Sequence, residues 1–251
     1  MLGAALAVAG GPAAGAADAK PTIVLVHGAF AESSSWNGVI SRLNRDGYRT
    51  IAAANPLRSV KGDAAAVAAL IGSIKGSIVL VGHSYGGPVI TEAANGKNNV
   101  KALVYVAAFA PETGESSMSL SSKFPGSTLG DALQPVALPD GGQDLYVQPP
   151  KFRAQFAADV PAGEASLMAA TQRPVTAAAL AEPSGAPSWK TIPSYAIYGS
   201  ADLNIPPAVL KFMAERAHAV KTVVIEGASH ALMVSHPGEV ASLIEEAAEA
   251  P

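Results

Sequence analysis

Short runs of apolar, β-branched residues recur through this chain, each closed by glycine or by polar residues. They fall at 22–26, 49–53, 77–81, 102–107, 194–198 and 222–225. Several are continuously apolar, so both faces of such a strand need cover, as in a parallel sheet. Between and after them lie helical patterns at 35–46, 63–74, 88–95, 206–217 and 237–248. Several of these open on proline, whose missing N–H has no partner in a first helical turn anyway. Strand alternating with helix predicts an α/β domain: a mostly parallel sheet with helices on both faces. At 251 residues and 49% hydrophobic content, the chain can build one such core.

The alternation stops between 111 and 190 and then resumes. This stretch is rich in Pro, Gly, Ser and Ala, with short helical pieces at 151–159 and 164–171. It reads as an inserted, mainly helical lid over the carboxyl ends of the strands, where open α/β sheets bind ligands. The core is then 21–110 plus 191–251, and the lid is 111–190. The lid offers Phe124, Leu133, Phe152, Phe156, Leu167 and Met168 as apolar candidates for pocket or core. Residues 1–20 differ from the rest. An apolar run at 2–9 leads to Ala14-Gly15-Ala16, and no charge appears before Asp18. The segment reads as a secretory signal without its basic start, hence a secreted or periplasmic protein. The alternative is a flexible extension on a cytoplasmic protein.

Several classes of function drop out. The net charge is −3 and no Lys/Arg cluster occurs, so nucleic-acid binding has no electrostatic support. With no cysteine, disulfides, thiolate nucleophiles and Cys-based metal sites are excluded. No segment is long enough to span a bilayer. No interface signature indicates an oligomeric state.

One stretch carries chemistry. Residues 77–87 read Ser-Ile-Val-Leu-Val-Gly-His-Ser-Tyr-Gly-Gly. A G-x-S-x-G between a buried-type strand and a helix is the setting of a nucleophile elbow, in which a sharp turn lifts the serine hydroxyl above the sheet. Ser84 is therefore the candidate nucleophile. A serine hydroxyl needs a base, and the base needs an orienting acid. Of the five histidines, His27, His83, His218 and His236 have structural readings. His230 lies on a small-residue loop after the last predicted strand, where a base can reach the elbow. Asp202, on the loop after strand 194–198, falls between nucleophile and base in chain order and is the candidate acid. Glu226 is the second choice; Asp131, Asp140, Asp144 and Asp159 lie in the lid. Two backbone N–H groups should hold the developing oxyanion: that of Tyr85, after the nucleophile, and one from the loop Val26-His-Gly-Ala-Phe30, either Ala29 or Phe30.

These residues carry a resemblance. Val-His-Gly-Ala29, Gly-His-Ser-Tyr-Gly-Gly87, Tyr-Gly-Ser-Ala-Asp202 and Gly-Ala-Ser-His230 resemble the small lid-bearing α/β-hydrolases of the carboxylesterase, plant methylesterase and hydroxynitrile lyase group. The likeness runs from about Pro21 to the C-terminus and implies the α/β-hydrolase fold. It also implies hydrolysis of small to medium carboxylic esters through an acyl-enzyme, with no cofactor and no metal. The lyases of the group carry threonine where this chain has Gly28, and lysine where it has Ala231, so the likeness favours ester hydrolysis. Dehalogenases and epoxide hydrolases of this fold use aspartate at the elbow, and Ser84 speaks against them. Two alternatives stay open: a ligand-binding sensor on a hydrolase scaffold, and a cofactor-free perhydrolase or haloperoxidase-like activity.

Overall fold

The computed structural model describes residues 20–139 and 141–251. The signal-like segment lies outside the described residues except for Lys20, and so does Asp140. The described residues form nine strands: β1 Thr22–Val26, β2 Thr50–Ala53, β3 Ile78–His83, β4 Val100–Val106, β5 Leu133–Ala137, β6 Gln143–Val147, β7 Val175–Thr176, β8 Ser194–Gly199 and β9 Lys221–Ile225. Its helices are α1 Asn37–Arg45, α2 Val60–Gly72, α3 Gly86–Ala93, α4 Ser117–Ser121, α5 Leu129–Ala132, α6 Pro149–Phe156, α7 Ala162–Thr171, α8 Ala177–Ala181, α9 Pro207–Arg216, α10 Leu232–Ser235 and α11 Pro237–Glu249.

Six strands form one sheet in the order β2-β1-β3-β4-β8-β9, and every neighbouring pair is parallel. The continuously apolar strands are the inner ones: β1, β3 and β8 are buried at every residue, and β4 at all but Lys101. That is the packing their composition requires, because α1 pairs with α11 on one face and α2 with α3 on the other. The edge strand β9 is exposed or half-exposed throughout. Helix α2 starts three residues before the expected position, at Val60, because Ser59 accepts a hydrogen bond from Gly62 N–H at 2.9 Å and caps it.

The expected break in the alternation lies between β4 and β8. There the chain forms α4 to α8, and also a small antiparallel sheet in the order β5-β6-β7 that the sequence reading did not include. Strand β5 is mostly exposed and contains Pro135, so it lacks the buried apolar pattern by which the other strands were recognised.

Candidate active site

Ser84 sits on the tight turn between β3 and α3 with φ +54°, a left-handed backbone that costs a non-glycine residue about 1–3 kcal/mol. Three backbone hydrogen bonds hold the turn: Ser84 N–H to Val106 O at 3.3 Å, Gly87 N–H to Ser84 O at 2.9 Å and Phe109 N–H to Ser84 O at 3.2 Å. The flanking glycines have a steric reason. A Cβ on Gly82 would stand 2.6 Å from Gly86 O, and one on Gly86 would stand 2.5 Å from Val26 O. Strand, turn and helix pack backbone to backbone here, so only glycine fits.

The structure brings His230 and Asp202 together. His230 Nδ1 lies 2.7 Å from Asp202 Oδ2, and both residues are buried. Asp202 Oδ1 accepts two further bonds, from Asn204 N–H at 2.8 Å and Ile205 N–H at 2.9 Å. The carboxylate is thus fixed by the loop after β8 and can only accept. Nδ1 therefore carries the imidazole proton, which leaves Nε2 as a lone pair. His230 Nε2 is buried and has no hydrogen-bond partner. Ser84 Oγ makes no hydrogen bond either, so a link from serine to histidine is not closed in this structure. Catalytic hydrogen bonds are commonly long before substrate arrives.

The other sequence candidates separate clearly. Glu226 is exposed and makes no hydrogen bond or ion pair with His230. Asp131 is also exposed, Asp144 pairs with Arg58 at 2.6 Å, and Asp159 meets Ser229 and His236. His218 is exposed just beyond α9.

His83 and His27 are fully buried supports. The His83 ring stands 4.7 Å from the His230 ring, and its Nε2–H donates to His230 O at 3.1 Å. Burial holds the His83 imidazole well below its ordinary pKa, so it is neutral. His27 Nδ1–H donates to Gly28 O at 3.0 Å, and its Nε2 accepts from Asn55 N–H at 3.1 Å. Asn55 Nδ2 closes the link by donating to His27 O at 2.9 Å. Burial lowers the His27 pKa too. The loop that carries Ala29 is thereby pinned. The sequence offered no sign of this use of Asn55.

In that loop the backbone N–H groups of the two candidate donors, Ala29 and Phe30, differ in their partners. Phe30 N–H donates to Arg173 O at 3.0 Å and is engaged. The N–H groups of Ala29 and Tyr85 make no hydrogen bond within the described chain, and both residues line the cavity over Ser84. Gly28 keeps this corner open: a Cβ there would stand 2.6 Å from Ser84 Cβ and 3.1 Å from Tyr85 N. The Tyr85 side chain points elsewhere, donating to the buried Asp63 at 3.0 Å.

The cavity measures about 600 Å³. Its walls include Phe109, Phe124, Leu129, Leu133, Leu145 and Ile205, and no charged residue lines it. Of the lid's apolar candidates, Phe124 and Leu133 thus face the cavity. Phe152 and Phe156 are buried, and the Phe156 ring lies edge-on to His230 with centroids 5.0 Å apart. Leu167 and Met168 border a separate groove, with Leu167 69% exposed. Among the described residues no group of three His, Asp or Glu side chains stands together to hold a metal ion. Among them, too, no helix is long and apolar enough to cross a membrane.

Comparison with known proteins agrees with this architecture. Residues 23–243 match the Alpha/beta hydrolase family. The chain is 27% identical over 250 residues to the alpha/beta hydrolase nvfD of Aspergillus novofumigatus, covering 91% of this chain and 97% of that one. It is 33% identical over 116 residues to a carbendazim hydrolyzing esterase of Nocardioides sp., covering 40% of this chain and 47% of that one. The crystal structure of polyneuridine aldehyde esterase superposes with a TM-score of 0.79 at 20% identity, covering 90% of this chain and 98% of that one.

Proposed function

The chain belongs to the alpha/beta hydrolase family, and from this we propose that it hydrolyses carboxylic esters through an acyl-enzyme on Ser84. Two observations carry the reading: the buried His230–Asp202 pair with its Nε2 left unpartnered, and a serine held on a strained turn after β3. In this reading Ser84 Oγ attacks the ester carbonyl as His230 Nε2 takes its proton. Asp202 keeps the ring oriented and stabilises the imidazolium. The oxyanion forms against the N–H groups of Ala29 and Tyr85, each such donor lowering the barrier by about 3 kcal/mol. His230 then returns the proton to the leaving alcohol, and water repeats the sequence to free the acid. The cavity supports neutral substrates of small to medium size. The curated relatives that match include one named as an esterase.

The test is turnover of p-nitrophenyl acetate and butyrate by the purified protein and by Ser84→Ala. Multiple turnover by the parent, with a loss of several orders of magnitude in the variant, is the expected result. Equal and feeble rates in both would overturn it and move ligand binding to the front.

A further inference from the structure

Residues 116–122 read Ser-Ser-Met-Ser-Leu-Ser-Ser, and the five serines divide sharply. Ser116 and Ser119 cap helix α4: Ser119 N–H donates to Ser116 Oγ at 3.1 Å, and Ser116 N–H donates to Ser119 Oγ at 2.9 Å. Ser122 Oγ donates back to Met118 O at 3.1 Å. Ser117 and Ser121 remain. Ser117 is the first helical residue, so no helical carbonyl lies one turn behind it to accept its hydroxyl. The residue is only 3% exposed, and its Oγ has no hydrogen-bond partner. Ser121 Oγ makes no hydrogen bond either. The two stand four residues apart, on one side of the helix, and both line the cavity over Ser84. A buried hydroxyl without a partner is costly and uncommon in a folded protein. Here the residue that carries it lines the cavity over Ser84.

We infer that Ser117, with Ser121 beside it, is a second polar subsite that donates a hydrogen bond to an uncharged carbonyl oxygen of the substrate, away from the scissile ester. The inference rests on the esterase reading and narrows it. The substrates are neutral esters that carry a second carbonyl in an otherwise apolar skeleton, such as oxo-esters and diesters. Half-esters of diacids are excluded: their free carboxylate would be buried where no cationic side chain lines the wall.

The experiment compares kcat/KM for p-nitrophenyl octanoate with a series of p-nitrophenyl oxooctanoates in which one ketone moves along the acyl chain. The parent should prefer at least one oxo-ester over the plain ester by about 3–10-fold, the worth of one hydrogen bond. Ser117→Ala should bring that ratio close to unity, and Ser121→Ala should lower it in part. Thermal melts confirm that both variants are folded; loss of an unpartnered hydroxyl should not destabilise the protein. A ratio near unity for every ketone position in the parent overturns the subsite, as does a preference that survives both substitutions. Such results leave the esterase reading standing as long as Ser84→Ala abolishes octanoate turnover. If the parent cleaves none of the esters, the esterase reading fails and the subsite fails with it.

Discussion

The Ser229 hydroxyl donates to the Asp159 carboxylate, and so ties the residue before His230 to the segment between α6 and α7. The same junction carries Ala231 N–H to Phe156 O at 3.0 Å, on the other side of His230. Burial alone would raise the Asp159 carboxyl; hydrogen bonds from Ser229 and Ser235 outweigh it and hold the pKa below its usual range. The proposed base is thus clamped at both neighbours by the insertion. Ser229→Ala and Asp159→Asn should each lower kcat by about tenfold on p-nitrophenyl butyrate, because a hydrogen bond to a charged group is worth about 1.5–3 kcal/mol. Steady-state kinetics decide it, and unchanged kcat in both variants would remove the clamp from the account.

Asp202→Asn should be far more damaging. The amide oxygen can keep the bonds from Asn204 and Ile205, but the amide nitrogen would then face His230 Nδ1 as a donor. The ring would take the opposite tautomer, with its proton on Nε2, and could not receive one from Ser84. A fall in kcat of about 10⁴ is expected with little change in fold. A modest fall would mean that the carboxylate does not set the tautomer.

Gly28→Ala probes the space beside the proposed nucleophile. The added carbon would stand 2.6 Å from both His83 O and Ser84 Cβ, and backbone has little room to yield. Stability should drop by about 1–3 kcal/mol. Displacement of the Ala29 or Tyr85 donor should lower kcat by about 10²–10³. Denaturation curves and kinetics on one preparation separate the two effects. Near-parent activity would show that these N–H groups are not the ones used.

Stability should weaken in mild acid. Burial keeps the folded-state pKa of His27 and His83 below the ordinary histidine value of about 6.5. Between those values the unfolded chain binds more protons than the folded one. The contribution is therefore complete above about pH 6.5 and is lost as the pH falls below it, by up to about 1.4 kcal/mol per histidine per pH unit. Asp63 shifts the other way, its pKa raised by burial, so its contribution opposes this loss only nearer the carboxylate range. Urea titrations at neutral and mildly acidic pH measure the slope, and His83→Gln should make it shallower. A stability that does not change between neutrality and the carboxylate range would contradict neutral, buried imidazoles.

The inner sheet was legible because burial on both faces writes itself into composition: β1, β3, β4 and β8 are apolar without alternation. The candidate residues Ser84, His230 and Asp202 could be singled out because each follows a strand, on a loop at the carboxyl ends of that parallel sheet. Other features had no local signature. Strand β5 is exposed, so its pairing with β6 depends on a partner and not on its own pattern. Asn55 looks like any loop asparagine, and its hold on His27 exists only across 28 residues of chain. That Phe30 N–H is engaged by Arg173 O while Ala29 N–H is not depends on the position of Arg173, which no spacing rule supplies.

The bond from Phe30 N–H to Arg173 O joins the loop over Ser84 to the insertion, and an ion pair from Arg173 to Glu32 at 3.1 Å reinforces it. This constrains how the protein can be recombined with its relatives. A graft that replaces the stretch between β4 and β8 imports foreign partners for Phe30, Glu32 and Ser229 along with the new cavity wall. Chimaeras should work only when both sides of each junction travel together, so the natural crossover points lie outside these contacts.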